Sequence, residues 1–189
     1  MLMTSTCTKP ILGLWIENQN RIVYKIAAVL GGIIFLSVLA QVAIPLPFTP
    51  VPITGQTFGV AFLSLMMGRR WGVSSVIAYV ALGAAGLPIF ALGHHGLTAI
   101  SSGYLVGMCV SSFVIGSLSD KGWSRTFSKT LLTCALGSLC VYTFGVIVLA
   151  KFLPLGSLFA KGVLPFIPGD IVKSTFAATL ASKVNSRKN

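Results

Sequence analysis

Residues 131–150 read Leu131-Leu132-Thr133-Cys134-Ala135-Leu136-Gly137-Ser138-Leu139-Cys140-Val141-Tyr142-Thr143-Phe144-Gly145-Val146-Ile147-Val148-Leu149-Ala150, without a single charged side chain. About 20 mostly apolar residues in a helix cross the roughly 30 Å hydrocarbon core of a bilayer. This stretch therefore predicts a transmembrane helix. Composition extends that reading to the whole chain. Of its 189 residues, 54% are hydrophobic and 9% are charged, against about 25% charged in a water-soluble domain. Mean hydropathy is +0.89. A chain this poor in charge cannot cover a globular surface with ionised groups, so most of its area faces lipid.

Outward from the uncharged run, five more apolar segments are legible. One runs from Tyr24 to Ile44 and ends in Pro45-Leu46-Pro47. A second, Thr57–Met67, stops at Gly68-Arg69-Arg70. A third, Trp71–Gly86, stops at Leu87-Pro88. The fourth covers Gly103–Leu118, and the last Gly169–Lys183. The expected fold is an all-α membrane protein of six transmembrane helices. Residues 1–20 read as an N-terminal cytoplasmic extension, amphipathic or loosely ordered, and 21–189 as the six-helix domain. No A-x-A-like cleavage site follows the first run, so it reads as a retained helix. No internal repeat is visible.

The net charge of +11 first suggests nucleic acid, but its distribution excludes that. The basic residues sit in short segments between apolar runs. With the N-terminus placed in the cytoplasm, Lys9, Arg21, Lys25, Arg69, Arg70, Lys121, Arg125, Lys129, Lys183, Arg187 and Lys188 fall inside. Only Lys151 and Lys161 fall outside, and Lys173 is embedded. Basic residues accumulate in cytoplasmic loops, so both termini are expected to be cytoplasmic. Nucleic acid is not an expected partner; membrane lipid is.

The outer connections are the longer ones and are rich in Pro and Gly. Residues 45–56 hold four prolines, which rules out regular helix. Irregular backbone at membrane depth survives where it is buried in protein or lines a cavity. Short, interrupted segments also point to binding sites. A cavity is therefore expected near the outer face, roofed by residues 45–56 and 87–102.

Three acids occur in the chain: Glu17, Asp120 and Asp170. Asp170 stands in Phe166-Ile167-Pro168-Gly169-Asp170-Ile171-Val172-Lys173, with Lys173 on the same helical face. Two readings stand side by side. Asp170 caps the last helix, with Lys173 as its local partner. Alternatively the pair is a recognition point facing a cavity, a carboxylate for two N–H groups and an ammonium for a carbonyl. In the Pro-rich block, Thr54 and Gln56 are candidates to face the cavity, with helix capping the rival role for Thr54. Phe90 and Tyr104 line an apolar pocket or belong to an interfacial belt. His94 and His95 read as loop histidines rather than metal ligands, and the four cysteines show no zinc or disulfide spacing. No metal site and no cofactor are expected. Small residues four apart, Ala27/Gly31 and Ala28/Gly32, allow close helix approach, for internal packing or for a partner. There is no GxxxxGK[ST] loop, so the chain cannot energise transport with ATP itself. No GxSxG, HExxH or paired-carboxylate arrangement supports an enzyme.

Four blocks in this order resemble the BioY family of biotin transporters, the substrate-binding S components of energy-coupling factor systems. They are Ile44–Gly59, Tyr79-x-x-x-Gly83-x-x-Gly86-Leu87-Pro88-x-Phe90-Ala91, Gly103-Tyr104-Leu105-x-Gly107, and Phe166-Ile167-Pro168-Gly169-Asp170-x-x-Lys173. The resemblance implies an S-component-like bundle in the bacterial cytoplasmic membrane, with biotin as transported substrate. It implies that Asp170 and Lys173 contact the ureido ring. It also implies a transmembrane coupling subunit and two ATPase subunits as partners, docked on the small-residue stripe. Where the family has a Gly-Pro-Thr turn, this chain has Ile100-Ser101-Ser102. The substrate's carboxylate needs a donor, and Gln56, Ser101, Ser102 or an outer-loop N–H can supply one. The competing expectations are an S component for another vitamin and a structural membrane protein without a ligand.

Overall fold

The computed structural model of the chain describes residues 9–96 and 98–186. Cys7, Arg187 and Lys188 lie outside the described residues. Helices dominate: α1 (Ile11–Glu17), α2 (Ile22–Gln41), α3 (Gln56–Ala84), α4 (Ser102–Asp120), α5 (Phe127–Leu149), α6 (Leu158–Gly162) and α7 (Ile167–Ser186). One short hairpin, β1 (Ala43–Ile44) with β2 (Ile53–Thr54), pairs antiparallel with Ala43 opposite Thr54.

Among the described residues, four segments are long and apolar enough to cross a membrane: α2, α4, α5 and the stretch 155–186 that ends in α7. The two expected short runs are the arms of α3. They meet at Gly68, whose φ of 73° and ψ of −173° break the helix. Only glycine enters that backbone region freely. A Cβ there would collide with the Asp120 carboxylate. The arms then fold back on each other. A Cβ on Gly72 would lie 2.9 Å from the Cα of Ser64. The bundle thus has six helical segments, as the apolar pattern predicts. α7 begins two residues earlier than expected and takes in Pro168, because proline is tolerated in a first helical turn.

The connections divide by end. Residues 42–55, 85–96, 98–101 and 150–166 lie at one end, and the turns at Gly68 and Gly122 lie at the other. The second end carries Arg69, Arg70, Lys121, Arg125 and Lys129. Small residues make the packing close. A Cβ on Gly107 would press on Val141, and one on Gly116 on the backbone of Arg69. α2 keeps a broad apolar face, with Ile22, Ile26, Leu30, Ile34 and Val38 all more than half exposed, as suits a lipid-facing helix.

Residues 11–17 are structured rather than loose. α1 packs beneath the first arm of α3, with Ile16 only 1% exposed. Gly13 sits against the carbonyl of Met67, where a Cβ would lie 2.6 Å from the oxygen. The N–H of Ile11 donates to Asn185 Oδ1 (3.1 Å), and Asn185 Nδ2 donates to the Leu65 carbonyl (3.4 Å). Lys9 Nζ pairs with Glu17 at 2.7 Å. The N-terminal helix therefore closes the basic end of the bundle.

Candidate functional site

At the opposite end the loops enclose a cavity of about 380 Å³, within the roughly 300–1,000 Å³ of small-molecule pockets. The expected roof is present. Pro45, Leu46 and Thr49 to Pro52 of the β-hairpin loop line it, as do several residues of the connection before α4, from Phe90 to Leu92 and on to Ile100 and Ser101. Two tethers fix the roof and wall. Thr49 Oγ1 donates to the Lys161 carbonyl (2.8 Å), and Tyr104 OH donates to the Gly162 carbonyl (2.9 Å). Both acceptors belong to α6, which gives the residue 150–166 connection its purpose.

Asp170 and Lys173 reach the cavity from the first turn of α7. The N–H of Asp170 already donates to the Phe166 carbonyl (2.9 Å), so Asp170 lies inside the helix and is not its cap. Its carboxylate is 8% exposed as a residue and accepts four side-chain bonds. Oδ1 accepts from Thr57 Oγ1 (3.2 Å) and Lys173 Nζ (3.3 Å). Oδ2 accepts from Tyr142 OH (2.6 Å) and Ser138 Oγ (3.3 Å). Lys173 Nζ also donates to the Thr54 carbonyl (2.7 Å) and to Thr57 Oγ1 (3.1 Å). A buried charge without such partners would be prohibitively costly. Here both ions are paired and hydrogen-bonded.

Gln56 is buried and lines the cavity. Its Nε2 donates to Tyr79 OH (2.6 Å), and its Oε1 accepts from Thr54 Oγ1 (3.0 Å). Tyr79 OH in turn donates to the Ile89 carbonyl (3.0 Å). Thr54 lines the cavity; the cap position of α3 is Gly55 and not Thr54, although the Thr54 hydroxyl accepts the N–H of Gln56 (3.3 Å).

Phe90 and Tyr104 are buried pocket aromatics, not belt residues. Each rests on a glycine. The Phe90 ring occupies the space a Cβ on Gly83 would need, and the Tyr104 ring does the same at Gly145. Phe90 also meets Tyr79 edge-on, with centroids 5.5 Å apart, and Tyr104 lies tilted against Phe166 at 6.2 Å. The walls between the polar floor and the mouth are thus aromatic and aliphatic, with Leu105, Met108 and Val141 completing them.

Ser102 is not in the cavity lining. Its hydroxyl donates to the Ala99 carbonyl (2.8 Å), while Ser101 faces the cavity. His94 lines the cavity and His95 does not. Tyr142, Ser138 and Thr57 were not anticipated as partners of Asp170. Tyr142 and Ser138 are four residues apart, hence on one face of α5. Two polar side chains at that spacing in an uncharged span are the available signal.

Apolar helices of membrane length around an ion-paired, aromatic-walled cavity define a multi-pass membrane protein with a small-molecule site. Comparison with known proteins carries this further. The model of the BioY family matches residues 10–189, and the chain belongs to that family. It is 38% identical over 154 residues to the biotin transporter BioY of Rhizobium etli, covering 75% of this chain and 81% of that one. It is 33% identical over 158 residues to the biotin transporter BioY of Thermotoga maritima, covering 82% and 92%. Its fold resembles a crystal structure of the S-component for biotin from an ECF-type ABC transporter. The TM-score is 0.77 and the identity 27%, over 91% of this chain and 95% of the other. The family match begins at residue 10 and so takes in the α1 segment.

Proposed function

We propose that the chain is the biotin-binding S component of a vitamin uptake transporter, capturing biotin from the outer side of a bacterial cytoplasmic membrane. The observation that carries this reading is the Asp170–Lys173 pair lining an aromatic-walled cavity. A cyclic urea offers two N–H donors flanking one carbonyl. The carboxylate and ammonium are its complement. The sulfur-containing ring and the methylenes of the valerate chain are apolar and match Phe90, Tyr104 and Phe166.

In the free site all three N–H groups of Lys173 are engaged, and Asp170 accepts four bonds. The ligand therefore exchanges with internal partners. The 3.3 Å bonds from Lys173 and Ser138 to Asp170 are the longest and yield first; the short bonds from Tyr142 and to the Thr54 carbonyl hold the pair in place. Exchange keeps the buried charges compensated throughout, which limits the desolvation cost of binding.

The chain has no ATP-binding loop, so uptake requires a transmembrane coupling subunit and two ATPase subunits. Both termini face the cytoplasm in this reading, since the basic end of the bundle takes the positive-inside side. Uptake of radiolabelled biotin by cells in which this chain is the sole biotin route, supplied with an energising module, tests the role. Saturable uptake that disappears with Asp170→Asn is expected. Absence of saturable uptake with the chain present in the membrane would contradict it.

A further inference from the structure

We infer that one buried water molecule sits beneath the Asp170–Lys173 pair, held by Ser111 and Ser138, and that it takes over a hydrogen bond when ligand binds. The role in binding rests on the biotin reading; the water site itself does not. A second, smaller void lies beyond the pair, toward the basic end of the bundle. It shares Thr57, Val141, Asp170 and Lys173 with the ligand cavity. On α4 the cavity is lined by Leu105 and Met108, and the void by Ser111, about one turn further on. On α5 the same step leads from Tyr142 to Ser138. The void measures about 10 Å³, close to the roughly 10–15 Å³ that one water needs.

A buried water also needs about two to four polar partners, and the lining supplies them. Ser111 is 3% exposed and takes part in no hydrogen bond among the described residues. Buried hydroxyls are nearly always partnered. Gly137 leaves room for this one, since a Cβ there would lie 2.7 Å from Ser111 Oγ. Ser138 spends its proton on Asp170 Oδ2 at 3.3 Å, and its oxygen remains an acceptor. Ser174 of α7 borders the same void. Hydroxyls beside a carboxylate also suit a monovalent cation. Here, however, Lys173 Nζ already stands 3.3 Å from Asp170 Oδ1. A second positive charge beside it would be repelled, so a neutral water is the occupant that fits.

The water completes the exchange of partners at the pair. Ligand N–H groups compete for the Asp170 carboxylate, and the long bond from Ser138 yields first. Ser138 then turns its hydroxyl to the water, which Ser111 holds in place. Neither serine is left without a partner, free or bound, so the penalty of an unmade buried bond is avoided. Ser111 and Ser138 are both outside the lining of the ligand cavity. Ser111 is thus a positioning residue that acts through Ser138.

The test joins a crystal structure of the full chain, at a resolution that shows waters, to binding and melting measurements in detergent. Density is expected for a water within about 3.2 Å of Ser111 Oγ and of Ser138 Oγ or an Asp170 oxygen. A void without that density, with Ser111 bonded back to the Gly107 carbonyl, would overturn the inference and leave the biotin reading standing. Ser111→Ala gives a sign. Loss of a hydroxyl that holds a water should lower the melting temperature by a few degrees. It should weaken biotin by about two- to tenfold, the scale of one hydrogen bond. A raised melting temperature, or unchanged biotin affinity, would overturn the inference. In a Ser138→Ala background, Ser111→Ala should cost biotin less than about twofold, because the hydroxyl it serves is gone. Additive losses would overturn the link between the two serines. Replacing sodium by choline should leave biotin affinity within about twofold on the same scale; loss of binding would put a cation in the void instead. No biotin binding by folded wild type would overturn the water's role in binding together with the biotin reading, while the density still decides the site.

Discussion

Gly83→Ala tests whether the aromatic wall sets the size of the binding cavity. A Cβ on Gly83 would lie 2.7 Å from Cε2 of Phe90 and closer still to Cζ and Cε1. Carbon atoms do not approach that closely, so the ring must move. Behind it stands Tyr79, fully buried and fixed to Gln56 and the Ile89 carbonyl. The open direction is the cavity. Overpacking of this kind costs about 1–3 kcal/mol. Alanine recovers about 0.8–1 kcal/mol of helix propensity over glycine, so the free protein should lose little stability. The ligand, however, must push the ring back against the new methyl group. The strain then falls on the complex, and biotin affinity should drop by about five- to 150-fold. Isothermal titration of the detergent-solubilised protein measures this. Phe90→Leu in the Gly83→Ala background should restore most of the affinity by returning the space. Gly31→Ala serves as the control, since nothing lies within 4 Å of that position. Affinity within twofold of wild type in well-folded Gly83→Ala would refute the reasoning.

Two further outcomes follow from the same geometry. Ser102→Ala should leave biotin affinity within about twofold, because its hydroxyl serves only the Ala99 carbonyl; titration showing a larger loss would return Ser102 to the site. Gly13→Val should lower thermal stability by about 1–3 kcal/mol, since its side chain would strike the Met67 carbonyl. Biotin affinity of that variant should hold, as α1 lies at the end of the bundle opposite the cavity. An unchanged melting curve would mean that α1 does not lock the basic end.

Periodicity and charge made the bundle legible. The uncharged run 131–150 became α5, and the Gly68-Arg69-Arg70 break became the turn between the arms of α3. Asp170 and Lys173 were legible because ions are rare in such a chain and these two share a face. Tyr142 was not, because a tyrosine in an apolar span looks like a belt residue until packing sets it against α7. Ser102 and Ser101 are adjacent, and sequence alone cannot say which one faces inward; the start of α4 decides that. The helix α1 spans seven residues, too few for an apolar period to show, so its docking against Met67 and Asn185 emerges only from the fold. Gln56 was placed in the cavity correctly, but its bond to Tyr79 depends on a partner 23 residues away.

The account turns on the buried pair at the cavity floor, and equilibrium binding of biotin to the purified chain measures it most directly. Wild type should bind tightly. Asp170→Asn and Lys173→Met should each weaken binding by at least about thirtyfold, the lower end of the cost of breaking a buried, hydrogen-bonded charge pair. Affinity equal to wild type in either folded variant, or no binding by folded wild type, would contradict the account.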